Sequence, residues 1–150
     1  MKVLVFHIGV DRYGLPLGAV ERVLPVAALK QVPQAPAFVA GVMDLHGQPV
    51  PVIDLSTLAG STPEQIWFDT RIILVDYPLA DGSAALGLMA EHVAGIETIS
   101  DDSLRHAGIT GAPFLGQVST GPQGMLQLVE LEQLIPPAVQ DLLFRQELAG

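Results

Sequence analysis

The stretch APAFVAGVMDLHGQPVPVIDLSTLAG, Ala35 to Gly60, holds turn, strand-edge and helix-cap signals in one consistent order. Val39, Val42 and Leu45 surround Gly41 in an apolar run, and a second run, Val50 to Leu55, follows His46-Gly47-Gln48-Pro49. With Gly47 at the first central position of a two-residue loop, the pattern predicts a type II′ β-hairpin. Pro49 and Pro51 lie two apart, so both missing N–H groups fall on one side of the second strand, and Val50 and Val52 must supply the paired side. That strand is expected at a sheet edge or beside a loop. Asp54 is placed to cap a short helix, Leu55 to Ala59, which Gly60 closes.

Working outward, 150 residues suit one domain, or two small halves sharing a core, and are enough to bury most of the apolar surface without a staple. The chain has no cysteine, which removes disulfides, thiolate zinc sites and thiol nucleophiles together. A net charge of -9, with only seven Lys and Arg spread singly, leaves no basic stripe for phosphates or anionic lipids. Neither nucleic acid nor a membrane surface is an expected partner, and no apolar run approaches the length that spans a bilayer. Met1 to Ile8 is expected to be a first strand and not a leader, because Asp11 and Arg12 arrive before any long apolar region. Hydrophobic residues make up 49% and charged residues 15%, a balance that fits either a large core or apolar surface kept for partners.

In chain order, Val3 to Ile8 and Tyr13 to Leu17 predict a hairpin. Ala19 to Val23 suits a short helix or a twisted strand, with Val20 and Val23 on one side, Glu21 and Arg22 on the other, and Pro25 as its stop. Val26 to Pro36 predicts an extended crossing segment. Ser61 to Gln65 is a linker, and the single tryptophan, Trp67, beside Phe68 is either a latch or an exposed anchor. Arg71 to Tyr77 predicts a strand, Pro78 to Ala84 a loop, Ala85 to Ala90 a strand and His92 to Ile99 another. Ser100-Asp101-Asp102 suits a cap leading into a helix over Leu104 to Ala107, with a loop over Gly108 to Pro113. Phe114 to Ser119 and Met125 to Leu131 form a last hairpin, and a C-terminal amphipathic helix is predicted over 137–149, begun by Pro137.

The halves repeat. Gly41-Val42, Gly47, Val52-Ile53-Asp54-Leu55 and Leu58 answer to Gly116, Gly121 or Gly124, Leu128-Val129-Glu130-Leu131 and Leu134, and Tyr13-Gly14-Leu15 answers to Leu86-Gly87-Leu88. Two related halves of about five short strands suggest two small barrels with a partner-binding groove between them. Catalytic patterns are missing: there is no nucleophile elbow, phosphate loop, dinucleotide fingerprint or His-Glu-x-x-His helix. Asp102 and His106 could form an i,i+4 pair, and Asp54 and Glu130 occupy matching places, but helix capping accounts for both carboxylates. No residue is assigned a catalytic, cofactor or metal role. A small metal-dependent β-barrel enzyme using Asp54, Asp102 and His106, and a self-associating module using Trp67, Phe68 and the C-terminal helix, stand as alternatives.

Tyr13-Gly14-Leu15-Pro16-Leu17, Pro36 to Val42, Leu45-His46-Gly47 and Val50 to Leu55 resemble the CheW family of chemotaxis coupling proteins over nearly the whole chain, and the tail at Leu142 to Phe144 is most similar to WspB-type auxiliary couplers of surface-sensing pathways. The resemblance implies a mainly β fold of two SH3-like five-stranded barrels with short helices. It implies a non-enzymatic cytoplasmic scaffold at membrane receptor complexes, joining the cytoplasmic tip of a methyl-accepting receptor to the regulatory domain of a CheA-type histidine kinase. By the same resemblance Val20, Val23, Val42 and Val93 line the receptor-facing region, while the kinase meets the ends of the barrels. Arg22, Asp44 and His46 tune recognition. The family usually carries a glutamate at position 22 and an arginine at position 46, so here that pair cannot form, which points to a dedicated partner or to local pairing of Arg22 with Asp44 or Glu21.

Overall fold

The computed structural model describes residues 1–61, 69–106 and 113–144. The first strands are β1 (Lys2–Ile8) and β2 (Asp11–Pro16), followed by a 3-10 turn at Leu17–Ala19 and β3 (Val20–Pro25). The predicted helix-or-strand segment at 19–23 is therefore mostly strand. The opening hairpin stretch becomes β4 (Val39–Leu45), β5 (Gln48–Asp54) and helix α1 (Leu55–Leu58). Then come β6 (Arg71–Leu79) and β7 (Gly82–Thr98), a 3-10 turn at Asp101–Ser103, β8 (Leu104–Arg105), β9 (Leu115–Gly121), β10 (Gly124–Val129), a 3-10 turn at Leu131–Gln133 and helix α2 (Pro137–Phe144). Predicted helix beyond residue 144 lies outside the described residues.

The hairpin differs from expectation in its turn. Leu45 pairs with Gln48, so His46 and Gly47 are the central residues, with φ of 52° and 88°. Positive φ at both positions is type I′, which twists with the strands, and Gly47 occupies the second place and not the first. The Asp44 carboxylate accepts the Gly47 N–H at 2.7 Å, which steadies the turn. The edge signal of Pro49 and Pro51 is kept: β5 pairs with β4 along its length, but with β7 only from Val52 to Asp54, beyond both prolines. Asp54 caps α1 as predicted, accepting from the Ser56 and Thr57 N–H groups at 3.0 and 3.4 Å. Glu130, its counterpart, makes no such cap bond.

Three further expectations are corrected. Ala85 to Ala90 and His92 to Ile99 belong to one 17-residue strand, β7, because an irregularity at His92 bends the strand without ending it. The segment Pro78 to Ala84 is a tight hairpin, since Pro78 pairs with Ser83 and Leu79 with Gly82. Ser100 makes no side-chain cap bond, and where a helix was expected Leu104–Arg105 extends to pair with Ser119 and Val118 of β9.

The repeat is real but swapped in space. Antiparallel β6–β7 matches β1–β2, parallel β5–β7 matches β10–β2, β4–β5 matches β9–β10, and β3–β6 matches β7–β1. One β-rich lobe thus takes β1 and β2 with the C-terminal part of β7 and β8–β10. The other takes β3–β5 with β6 and the N-terminal part of β7. The sequence halves are not the lobes; each half starts in one lobe and finishes in the other. Gly14 and Gly87 sit at the equivalent parallel pairings, where an added Cβ would lie 2.9 Å from a methyl of Leu126 or of Ile72, so only glycine permits the close strand approach.

The swap explains the apolar runs in β1 and β6, which are buried on both faces. Val3 and Val5 enter one lobe with Ile99, Leu126 and Leu128, and Ile72 and Leu74 enter the other with Met43, Val50 and Val52. Their neighbours Leu4, Phe6, Ile8, Ile73, Val75 and Tyr77 meet in a central cluster between the lobes. The expected open groove between halves is therefore filled by core. Val139 and Leu143 of α2 join the same cluster, and Phe144 stacks on Tyr77 with ring centroids 5.9 Å apart. The Tyr77 hydroxyl accepts the buried Ile135 N–H at 3.0 Å and donates to the Glu132 carbonyl at 3.4 Å.

Two predictions follow from these packing and turn geometries. Tyr77→Phe keeps the ring but leaves the Ile135 N–H buried without its acceptor, and should cost about 1–3 kcal/mol in urea melts. His46→Asn suits the left-handed position of the type I′ turn better than imidazole does, and should raise stability by roughly 0.5–1 kcal/mol in the same assay.

Candidate functional site

Strand β3 ends the sheet order and pairs with β6 alone. Val20 lies opposite Val75 and Val23 opposite Ile73, with a bulge between Val20 and Arg22. Cross-strand partners share a sheet face, so Val20 and Val23 stand on the face that becomes the central core, but at its margin. Val20 is half-buried and packs against that core, whereas Val23 is 41% exposed. Arg22 between them is exposed and makes no ion pair among the described residues. Local pairing with Asp44 or Glu21 is thus not formed, and the Asp44 carboxylate is engaged by the Gly47 N–H instead.

On β4, Val42 lies opposite Pro51 and exchanges both backbone hydrogen bonds with Lys30 at 2.8 Å. Val42 and Glu21 line a common groove of about 520 Å³ with Pro49, Pro51, Asp76 and Phe144. This groove links the β3 margin to the β4–β5 hairpin, at whose tip His46 is exposed. A second cleft, about 630 Å³, opens at the rim of the central core between Tyr13, Leu58, Phe114, Leu134, Pro136 and Gln140. None of the residues predicted for recognition lines it. Trp67 and Phe68 lie outside the described residues.

Val93 sits apart, where β7 passes from one lobe to the other. Val5 pairs with Gly95 and His7 with Glu91, so residues 92–94 bulge opposite Phe6. His92 has φ of 47°, and its Nδ1 is 2.7 Å from the Asp69 carboxylate. The Val93 N–H donates to the Asp69 carbonyl at 3.2 Å. The His7 Nδ1–H donates to the His92 carbonyl at 3.1 Å, and the two imidazoles meet edge-on. Ser56 of α1 donates to the Glu91 carboxylate at 2.6 Å. The hydrogen bond from His92 holds the Asp69 carboxyl below its usual range, against a smaller desolvation effect. Sequence reasoning did not find this cluster; its only signal was a polar Glu91-His92 break inside a strand-like run, with Gly95 close behind.

The carboxylates considered for a catalytic or metal role are otherwise placed. Asp54 is spent on its cap, and the 3-10 turn and strand at Asp101–Arg105 remove the helix that would have paired Asp102 with His106. Among the described residues no group of three or more His, Cys, Asp or Glu could hold a metal ion. What the site presents is an exposed apolar residue beside a cation on an edge strand, a combination suited to protein contacts.

The model of the CheW-like domain matches residues 2–138 of this chain. A chemotaxis protein CheW from Rhizobium meliloti is 25% identical, over 90% of this chain and 87% of its own. Protein FrzA from Myxococcus xanthus is 28% identical, over 90% and 85%. The crystal structure of the scaffolding protein TtCheW from Thermoanaerobacter tengcongensis superposes with a TM-score of 0.80 at 25% identity, covering 90% of this chain and 87% of that one. Family model, sequence relatives and fold agree along nearly the same span, and the chain belongs to the CheW-like domain family.

Proposed function

We propose that this protein is a non-enzymatic scaffold that couples a methyl-accepting, chemotaxis-type receptor to a CheA-type histidine kinase, holding the receptor's cytoplasmic tip and the kinase's regulatory domain in register. The observation that carries the reading is the β3 margin, where the exposed Val23 adjoins an Arg22 that no described carboxylate neutralises. Kinship with chemotaxis proteins and a scaffolding protein supports it. Val20, Arg22 and Val23 form the primary contact. Val42, Asp44 and His46 extend it across the Glu21–Val42 groove, and Val93 adds a contact from the lobe junction.

The same reading takes residues 1–150 as a single CheW-like domain, whose last described helix is α2 (Pro137–Phe144). Each lobe is an SH3-like barrel, with the Lys30–Val42 bridge as the closing contact of one. The protein works in the cytoplasm at membrane receptor complexes, without nucleic acid, cofactor or membrane insertion, in keeping with its charge of -9. A WspB-type auxiliary role rests on Leu142 to Phe144. Two of those three residues also serve the fold, Leu143 in the core and Phe144 against Tyr77.

Val23→Asp is the decisive variant, because an exposed side chain can change without opening the core, whereas Val20→Asp also places a charge against it. Calorimetry against the recombinant kinase regulatory domain and receptor tip from the source cell should show a loss of tenfold or more, about 1.4 kcal/mol, with an unchanged melting temperature. Undiminished binding of both partners by a folded Val23→Asp protein would sink the reading.

A further inference from the structure

We propose that Asp69 and His92 are positioning residues for Val93, pinning the bulge of β7 so that this valine is presented in one orientation. The inference deepens the scaffold reading, and rests on it only for Val93 being a contact. The two lobes build equivalent margins by different means. In β3 the bulge falls between Val20 and Arg22, and Val20 stays in register with Val75. Its direction is set by the ladder itself. In β7 residues 92–94 have no ladder partner, because pairing stops at His7–Glu91 and resumes at Val5–Gly95. The β1–β7 register therefore does not dictate where Val93 points.

Side-chain and backbone groups outside the β1–β7 ladder supply what it lacks. Asp69 holds both bulge residues, its carboxylate taking His92 Nδ1 at 2.7 Å and its carbonyl taking the Val93 N–H at 3.2 Å. From the opposite flank His7 holds the His92 carbonyl at 3.1 Å. Ser56 fixes Glu91, the residue at which the bulge starts. His92 adopts a left-handed φ of 47°, which is unfavourable for a residue with a Cβ and persists only when its surroundings demand it. The Asp69–His92 contact is one local interaction that meets this demand. Val93, half-buried against the central core, then projects from a fixed base.

The test is amide exchange by NMR on the full chain, joined to docking. Asp69→Ala should speed exchange at the Val93 N–H by about tenfold and move its methyl resonances, while leaving Val20 unchanged. Asp69→Asn keeps an acceptor oxygen for His92 and should restore most of the protection, which a general loss of stability would not do. Unchanged Val93 exchange and shifts in Asp69→Ala would overturn the proposal. Against the recombinant receptor tip, Asp69→Ala should weaken binding about as much as Val93→Ala, and add nothing in the Val93→Ala background. Weakening by Val93→Ala alone, with Asp69→Ala inert, would also overturn it. Should Val93→Ala leave docking intact, Val93 falls from the contact surface, and the positioning claim is decided by exchange alone.

Discussion

The structure depends on two strands that are apolar on both faces. Val3-Leu4-Val5-Phe6 in β1 and Ile72-Ile73-Leu74-Val75 in β6 are buried throughout, and alternation sends every second side chain to a lobe interior and the others to the space between lobes. A 150-residue chain divided into two separate barrels would give each a thin core. Sharing a central cluster removes that weakness, because each lobe interior is small but both lean on a common one. The lobes cannot separate without exposing Leu4, Phe6, Ile73, Val75 and Tyr77 together. Exposing one buried Leu, Ile or Phe costs about 1.5–3 kcal/mol, so joint exposure far exceeds what thermal motion supplies.

The swapped repeat follows from the same constraint. Val5 faces Gly14 on one side and Gly95 on the other, and Leu74 likewise faces Gly87 and Arg22. Both central strands therefore have neighbours drawn from both sequence halves. Each half must cross over to complete its partner's sheet, and β7 makes that crossing within one strand. A bend is needed where β7 leaves one sheet and joins the other, and the irregularity at 92–94 is that bend. The polar cluster of His7, Asp69, Glu91 and His92 lies there because the ladder fails there, leaving backbone groups that side chains must satisfy.

Local chemistry was legible in the sequence, and long-range partnership was not. The proline pair, the Asp54 cap and the strand character of β1 and β6 all follow from short-range rules, and the repeat could be seen as matched glycines and apolar residues. Which half pairs with which could not be read, because a repeat gives equivalence without adjacency. The hairpin was found but its turn was misassigned: glycine preference alone placed Gly47 first, while the Leu45–Gln48 register puts His46 in the left-handed position. Ala85–Ala90 and His92–Ile99 read as separate strands because the polar Glu91-His92 looks like a break when the bend it serves is unseen. Of the residues expected at the site, Val20, Arg22 and Val23 lie on β3 and Val42 on β4. Asp69 belongs to no sequence motif, since its link to His92 spans a distance in sequence that no motif records.

Topologically equivalent margins of the two lobes carry different side chains. In register, Val23 opposite Ile73 corresponds to Ile96 opposite Leu4, and both are large apolar residues left exposed, at 41% and 61%. Around them the chemistry has diverged. Arg22 occupies the place that Gly95 fills in the other lobe, and Leu24, packed into its lobe, occupies the place of Glu97, which is paired with Arg12. One margin is therefore apolar with a cation that no described residue pairs, while the other is apolar with Glu97 matched by Arg12. A surface carrying a carboxylate would meet at Arg22 an ionic contact that the β7 margin, with Glu97 held by Arg12, does not offer. Because the central core fixes the two margins relative to one another, whatever is held at one has a set orientation to whatever is held at the other.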